Sequence, residues 1–252
     1  MGKIIFVLAF LGICSKGYCQ DISKSFYLKI ETIARAEKNA SKLYKRLDSL
    51  KQTCEPKNSS IHTNFNRDID FGYKHLQISI TLNMSYAYHL NLLTLNDKIY
   101  LCSVLYGSMD YMSARDITSN KLQNHPWIDT KGAQKYLDLR NRFYNSAKNI
   151  SDLKNELNLD KRYALNCGYA NQKTTEAKEI EDLVKHHQIN QLRIMLASIS
   201  CEQQAYALTG FKMLKKSGTQ ISNADKKIIT YLNNRKSALL ECRGCVVGIF
   251  ND

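Results

Sequence analysis

The chain has few of the residues that interrupt regular structure. Its 252 residues include only two prolines, Pro56 and Pro126, and 11 glycines. Because proline and glycine mark most tight turns, their scarcity argues against a sandwich or barrel of many short strands. The composition therefore favours long helices, in one large domain or two smaller ones.

Motifs of known chemistry are also missing. The sequence contains no Gly-x-Ser-x-Gly, no His-Glu-x-x-His, no phosphate-binding glycine loop and no aspartate-rich calcium loop. Its one compact cysteine motif lacks a second Cys or His pair at the spacing of a zinc site. We therefore predict no catalytic, cofactor-binding or metal-binding residue, and no cofactor.

Negative charge is in short supply. The chain carries 36 Lys and Arg against 23 Asp and Glu, a formal net charge of +13. Such an excess can attract nucleic acid, anionic lipid or acidic polysaccharide. Here the excess is spread along the chain, and only residues 61–120 lack it. This distribution indicates solvated lysine-rich helix faces, argues against nucleic acid, and leaves an anionic envelope component or polysaccharide as an alternative partner.

The amino terminus has the parts of a signal peptide. Lys3 is basic, residues 4–13 are apolar, and Gly17 and Cys19 are the small residues before a cleavage site after position 19. The apolar run is about ten residues, half the length of a membrane-spanning helix. No other stretch of the sequence could span a membrane, so we expect an exported chain, periplasmic or secreted.

Removal of residues 1–19 would leave residues 20–252 as the exported domain, with a division into residues 20–150 and 151–252 as an alternative. Lipid attachment at Cys14 is the less favoured interpretation. Leu11-Gly12-Ile13-Cys14 has the outline of a lipobox, but bulky Ile13 stands where a small residue is expected.

The predicted core is the weakly charged stretch over residues 76–112. Apolar residues occupy every even position from Leu76 to Leu92, which is a strand pattern. A single strand over this whole run would be about three times the usual length. Positions 76, 80, 84, 88 and 92 also have the spacing of a buried helix. Helix is the preferred interpretation of the run, and strand is the alternative.

Helices are predicted for most of the remaining chain. Asn96 would cap a helix that starts at Asp97, and the two core helices would form a hairpin. Residues 54–73 have no sustained periodicity and are predicted to form a long loop. Further helices are expected over residues 22–52, 131–148, 151–159, 174–197, 201–218 and 223–240. Their capping signals are Asp129 or Thr130, Thr174 or Thr175, Ser200 and Ser222.

The predicted fold is all-α, a multi-helix bundle or an irregular solenoid of helical hairpins, with a short extended segment near the carboxyl terminus. Residues 192–218, LRIMLASISCEQQAYALTGFKMLKKSG, read as an apolar helix, a serine-containing turn and an alanine-containing helix that ends in Leu-x-x-x-Gly. This stretch resembles one unit of the HEAT-like helical-repeat proteins. The resemblance covers these residues only, and it implies a protein-binding scaffold without chemistry of its own.

Six cysteines follow residue 19, and an even number in an exported chain favours disulfides. The preferred pair is Cys242 with Cys245, which closes the motif Cys242-Arg243-Gly244-Cys245. A bridge from one of these to Cys201 is the alternative. A redox role is disfavoured, because the motif follows a predicted helix and the carboxyl end of a helix raises the pKa of a thiol.

Two small groups of polar or aromatic residues are candidates for contact or catalysis. His125 and Trp127 lie in a predicted polar connection, where a tryptophan can anchor a partner. Glu179, Asp182 and His186 share one face of a predicted helix, more typical of a solvated surface than of a metal site.

We therefore expect an exported, non-enzymatic helical protein that binds another macromolecule, preferably a protein, through helix faces or a groove. The alternative is a hydrolase-like envelope enzyme with its site around His125 or around Glu179, Asp182 and His186.

Overall fold

The structure is a computed structural model that describes residues 25–53, 59–82, 86–108, 122–159 and 161–250. The signal peptide predicted over residues 1–19 lies outside these ranges. In chain order the elements are α1 (residues 25–36), α2 (Ala40–Thr53), β1 (Ser59–Asp70), β2 (Tyr73–Leu82), β3 (Tyr86–Leu95), β4 (Lys98–Ser108), β5 (Leu122–Ile128), α3 (Thr130–Tyr144), α4 (Ile150–Leu157), β6 (Asn166–Cys167), β7 (Gln172–Lys173), α5 (Thr175–Lys185), α6 (Ile189–Leu196), α7 (Cys201–Lys216), α8 (Asn223–Arg235), β8 (Leu240–Arg243) and β9 (Val246–Ile249).

Strands β1 to β5 form one antiparallel sheet in which each strand pairs with the next one along the chain. The expected all-α fold is therefore wrong, as a bundle and as a solenoid of helical repeats. Residues 54–73, predicted to be a loop, contain β1, and His125 and Trp127 lie in β5 rather than in a connection. The fold combines this sheet with helices on both of its faces.

The error in the core run came from treating it as one element. Residues 76–92 span β2 and β3, which fold back on each other so that Leu76 lies opposite Leu92 and Ile80 opposite Tyr88. Because opposite residues of an antiparallel pair share a face, the even positions of both strands stay on one side of the sheet. The alternation was the correct signal, and the objection from length does not apply to a hairpin.

A two-residue turn joins β3 to β4 at the place where a helix start was predicted. Asn96 and Asp97 have φ values of 49° and 67°, and Leu95 pairs with Lys98 across them. Such a turn matches the twist of paired strands, and Asn and Asp tolerate the left-handed conformation better than most residues. The two residues therefore close a hairpin instead of starting a helix.

One face of the sheet, here called the first face, packs against α1 and α2. Its buried side chains include Ile78, Leu90 and Val104, which share a core with Ile30 and Leu43 of the helices. The single helix predicted over residues 22–52 is broken at residues 37–39, because this segment hydrogen-bonds to the β3–β4 turn. Two backbone hydrogen bonds of 2.8 Å make the contact. The N–H of residue 40 donates to the carbonyl of residue 97, and the N–H of residue 99 donates to the carbonyl of residue 38.

The opposite face of the sheet is called the second face. At one end it carries an apolar group, Ile69, Tyr73, Leu93 and Leu101, that packs against α3 and α4. The rest of this face carries polar and charged side chains. These reach α4, α7 and α8, and so connect the sheet to the carboxyl-terminal helices.

The carboxyl-terminal helices agree best with the sequence. Asp129, Thr174, Ser200 and Ser222 each accept a hydrogen bond from a backbone N–H in the first turn of α3, α5, α7 and α8, which confirms the predicted caps. The helix predicted over residues 174–197 is divided into α5 and α6, since His187 between them has a φ of 50°. The expected extended segment is present as β9, which pairs with β8.

Within the described ranges, no helix is both long enough and apolar enough to cross a membrane.

Candidate functional site

Helices α7 and α8 border a groove with a volume of about 790 Å³. Its floor includes the buried side chains of Phe211 and Ile221. Above them, Leu208 of α7, Ile229 of α8 and Leu239 after α8 are half-buried. Cavities of this size can hold several side chains of a bound segment.

The orientation of α7 is fixed by its opposite face, which packs against α5 and α6. A Cβ atom at Gly210 would lie 2.7 Å from a methyl carbon of Leu192 and 3.3 Å from one of Ile180. Only glycine permits this close approach of α7 to its neighbours. Side chains at three- and four-residue spacing on the other side of α7, including Leu208, Lys212 and Lys215, therefore line the groove.

The groove is basic as well as apolar. Lys212, Lys215 and Lys226 line it and are exposed. None of the described residues that line it is Asp or Glu. Sequence reasoning missed these lysines, although Leu208, Lys212 and Lys215 on one helix face were a usable signal. The contribution of α8 could not be read from the sequence.

Tyr163 forms one wall of the groove and belongs to a segment tied to β8. Its hydroxyl lies 2.9 Å from Thr209 Oγ1, and its ring contacts that of Tyr206 with 4.9 Å between centroids. The Tyr163 N–H donates to the Leu240 carbonyl at 2.8 Å, and the Cys242 N–H donates to the Tyr163 carbonyl at 3.1 Å. The wall therefore depends on the pairing of residues 163–168 with β8.

A disulfide joins the same two segments, and it differs from the predicted one. Cys242 is bonded to Cys167, whereas Cys245 is an exposed free thiol and Cys201 a buried one. The structure therefore contains neither the predicted Cys242–Cys245 bridge nor the alternative through Cys201. The partner of Cys242 is set by the parallel contact of residue 163 with residue 241, which no spacing in the sequence reveals.

Two buried ion pairs connect the second face of the sheet to the helices around the groove. In the first, the Arg67 guanidinium of β1 contacts both carboxylate oxygens of Glu202 in α7, with Nη2 3.2 Å from Oε2. Glu202 also accepts hydrogen bonds of 3.0 Å from the Ser200 hydroxyl and the Leu240 N–H. Because a buried carboxylate without partners is very unfavourable, these contacts fix the start of α7 against the sheet.

The second ion pair is centred on Asp70 at the end of β1. Arg140 Nε of α3 lies 2.8 Å from one carboxylate oxygen, and an Arg235 terminal nitrogen of α8 lies 2.6 Å from the other. The Tyr144 hydroxyl donates to Asp70 at 2.8 Å. Burial, and then the charge of Asp70, raise the pKa of Tyr144, so its hydroxyl remains a neutral donor. One carboxylate thus joins β1, α3 and α8.

Amide and imidazole groups extend this polar network along the second face. His75 Nε2 lies 3.0 Å from Asn91 Oδ1, the Asn91 amide donates to Asn158 Oδ1 at 3.0 Å, and the Asn158 amide donates to Ser103 Oγ at 2.8 Å. Burial, and then the positive charge of Arg67, lower the pKa of His75 to about 3, against the opposing hydrogen bond to Asn91. His75 is therefore neutral at physiological pH, and it serves the network as a hydrogen-bonding group.

Ser79 and His89 have the geometry closest to a nucleophile and its base. Ser79 Oγ lies 2.7 Å from His89 Nδ1, and the Asn64 amide donates to the same oxygen at 2.6 Å. Only 3% of Ser79 is exposed, so a substrate cannot reach its hydroxyl in this conformation. We assign the pair to the polar network of the second face.

The predicted contact residue Trp127 packs against the core of the first face. Its indole N–H donates to the Ile99 carbonyl at 3.4 Å, and Lys38 Nζ lies 3.0 Å from the ring centroid. The side chain of His125 lies outside the described part of the structure. A role of either residue in partner contact stays a prediction.

Glu179 and Asp182 lie on α5, and His186 is the residue that caps the carboxyl end of this helix. All three are exposed, and His186 Nδ1 lies 3.2 Å from Asp182 Oδ1. Across the described ranges, no group of three or more His, Cys, Asp and Glu side chains is placed to hold a metal ion. The arrangement is that of a solvated helix surface.

No protein-family model matches the chain, and no curated protein or solved structure is significantly similar to it. The groove and the network beneath it are therefore the features from which a function can be inferred.

Proposed function

We propose that the chain is a binding protein and that the α7–α8 groove takes an acidic, amphipathic segment of another protein. The support comes from one combination: an apolar floor, with Leu208 and Ile229 half-buried, beside three exposed lysines and no lining carboxylate among the described residues. An amphipathic helix can bury apolar side chains in such a floor while its carboxylates pair with the lysines. A polysaccharide would use the lysines but not the floor, which favours a protein partner.

Export remains part of this proposal. The Cys167–Cys242 disulfide supports it, because disulfides persist mainly in oxidising compartments outside the cytosol. Intact-mass measurement on material from the native host would test it, and a retained Met1 would count against it.

A labelled helical peptide with leucines on one face and glutamates elsewhere is the probe for the groove, with fluorescence anisotropy as the measurement. We expect the triple variant Lys212→Glu, Lys215→Glu, Lys226→Glu to weaken binding about tenfold, since three exposed charge pairs of about 0.5 kcal/mol each sum to about 1.5 kcal/mol. The matched control reverses exposed lysines outside the groove, Lys42, Lys45 and Lys135, and should change the affinity little.

Leu208→Ser tests the apolar part of the proposal. We expect it to weaken peptide binding and to leave the binding of dextran sulfate unchanged. Equal binding of a peptide with lysines in place of glutamates would contradict the proposal. So would a loss of binding on lysine reversal with no effect of Leu208→Ser, which would make the groove a site for polyanions instead.

The alternative, a hydrolase-like enzyme at His125 or on the α5 face, stays a prediction without a supporting observation. The α5 side chains are exposed on a helix surface, and the Ser79 hydroxyl is buried.

A further inference from the structure

Three cysteines lie together where two hairpin turns meet. Cys167 in β6 is bonded to Cys242 in β8, and Cys245 belongs to the two-residue turn between β8 and β9. The turn that follows β6 lies against the β8–β9 turn, because the Gly168 N–H donates to the Gly244 carbonyl at 2.7 Å. The turn that carries the free thiol therefore lies against the turn that follows a disulfide-bonded cysteine.

The β8–β9 turn brings the backbone next to Cys245 near the sulfur of Cys242. Cys242 Sγ lies 3.3 Å from the carbonyl oxygen of Gly244, and that carbonyl is bonded to the nitrogen of Cys245. Gly244 has a φ of 63°, and no atom outside its immediate neighbours lies within 4 Å of where its Cβ would be. The turn is thus open, and Cys245 is exposed on it.

The helix expected to end next to this motif ends at Arg235, and Cys242 lies in a strand, so the objection to a redox role from a helix carboxyl end does not apply. We propose that Cys167, Cys242 and Cys245 form a thiol–disulfide exchange centre, a role separate from the groove. Cys245 loses its proton to water, and its thiolate attacks Cys242 Sγ. The Cys242–Cys245 bond forms as the Cys167–Cys242 bond breaks, and Cys167 leaves as a thiolate that takes up a proton. The set still holds one disulfide and one thiol and has neither gained nor lost electrons, so the exchange needs no oxidant or reductant.

The surroundings of the three cysteines suit a release of residues 163–168 from β8. Of the large apolar side chains that are exposed, four flank these cysteines: Leu165, Tyr169, Val246 and Val247. The strand that holds Cys167 is only two residues long. After exchange, the disulfide would no longer hold residues 163–168 to β8, whereas the backbone hydrogen bonds between them could remain. Because Tyr163 forms a wall of the groove, the exchange would remove the covalent tie beside that wall.

Disulfide mapping of the folded chain tests the exchange. The protein is incubated at mildly alkaline pH without added oxidant, quenched in acid, alkylated and digested without reduction. We expect the wild type to yield both the 167–242 and 242–245 bridges, with Cys167 alkylated in the second form. Val246→Ser, an exposed change in the same hairpin, should behave like the wild type. Cys245→Ser should lose the second bridge and the alkylation of Cys167, with an unchanged far-ultraviolet circular dichroism spectrum.

A second variant shows whether the turn can close the new bridge. Cys167→Ser should form the 242–245 disulfide when oxidised glutathione is supplied. Two thiols that stay free in this variant would overturn the proposal. A wild-type chain with Cys245 fully alkylated and only the 167–242 bridge after prolonged incubation would do the same.

Discussion

The two faces of the five-stranded sheet hold their helices in different ways. The first face presents apolar side chains such as Ile78 and Leu90 to α1 and α2. The second face uses Arg67, Asp70 and His75, each with defined hydrogen-bonding partners. Apolar burial stabilises without fixing a direction, whereas buried polar groups are satisfied in few arrangements. We infer that the first face mainly stabilises the fold and that the second face sets the positions of α7 and α8, and hence of the groove.

The largest expected effect is on the second face. Glu202→Leu leaves the Arg67 guanidinium buried without its carboxylate, and we expect it to lower the free energy of unfolding by about 3–5 kcal/mol in urea denaturation. The double variant Arg67→Met, Glu202→Leu removes both charges and should be more stable than Glu202→Leu alone. If the double variant instead loses the sum of the two single effects, the ion pair is not coupled.

Leu90→Ala tests the first face. Leu90 is fully buried. We expect the change to lower the free energy of unfolding by about 3 kcal/mol, because it removes buried apolar atoms and leaves a cavity. Peptide affinity of the folded variant should equal that of the wild type, because the second face is intact. A loss of peptide affinity in folded Leu90→Ala would contradict the distinction between the two faces.

His75 should make the second face sensitive to acid. Its pKa is about 3 in the folded chain, against a usual value of 6.5, so the unfolded chain takes up the proton first as the pH falls. The stability that neutral His75 supplies is therefore complete above pH 6.5 and is lost as the pH falls from 6.5 towards 3. Between pH 7 and pH 4.5 we expect the free energy of unfolding to fall by about 2 kcal/mol more in the wild type than in His75→Gln.

Denaturation curves at the two pH values provide the measurement. Equal losses in the wild type and in His75→Gln would contradict the assignment. Leu90→Ala is the control, since it should keep the full acid sensitivity of the wild type.

The smallest effect is expected from Asn158→Ala. This change leaves the Asn91 amide and the Ser103 hydroxyl without one partner each, and we expect a loss of about 1 kcal/mol. Because Asn158 links the sheet to the end of α4 and not to α7, peptide affinity should not change. A measurable change in affinity would show that the whole network, and not the two ion pairs, positions the groove.

Local signals in the sequence were enough for the helices of the carboxyl-terminal half. Ser200 and Ser222 act within one turn of their helices, so their neighbours in the chain suffice to predict them. The even-position run was also a local signal. The preferred helix for this run was nevertheless wrong, because the alternation alone does not show the hairpin that divides the run into two strands.

The second face could not be predicted, since its partners are far apart in the chain. Arg67 and Glu202 are separated by 135 residues, and Asp70 and Arg235 by 165. In the sequence these charges resemble solvated surface residues, which is what most Arg, Asp and Glu residues are. The groove could not be predicted from the sequence either, because its two helices present a common surface only after the fold has formed.

The strand order has a consequence for the timing of assembly. Every strand of the five-stranded sheet pairs with a neighbour in the chain, and such short-range contacts form quickly. Because the chain emerges amino end first, whether from the ribosome or from an export channel, the sheet can form before Glu202 and Arg235 have emerged. Until then the second face presents Arg67 and Asp70 to water, where charged groups are well solvated. Its apolar end is covered by α3 and α4, which follow β5 in the chain, so little apolar surface of the sheet stays exposed until the last helices have formed.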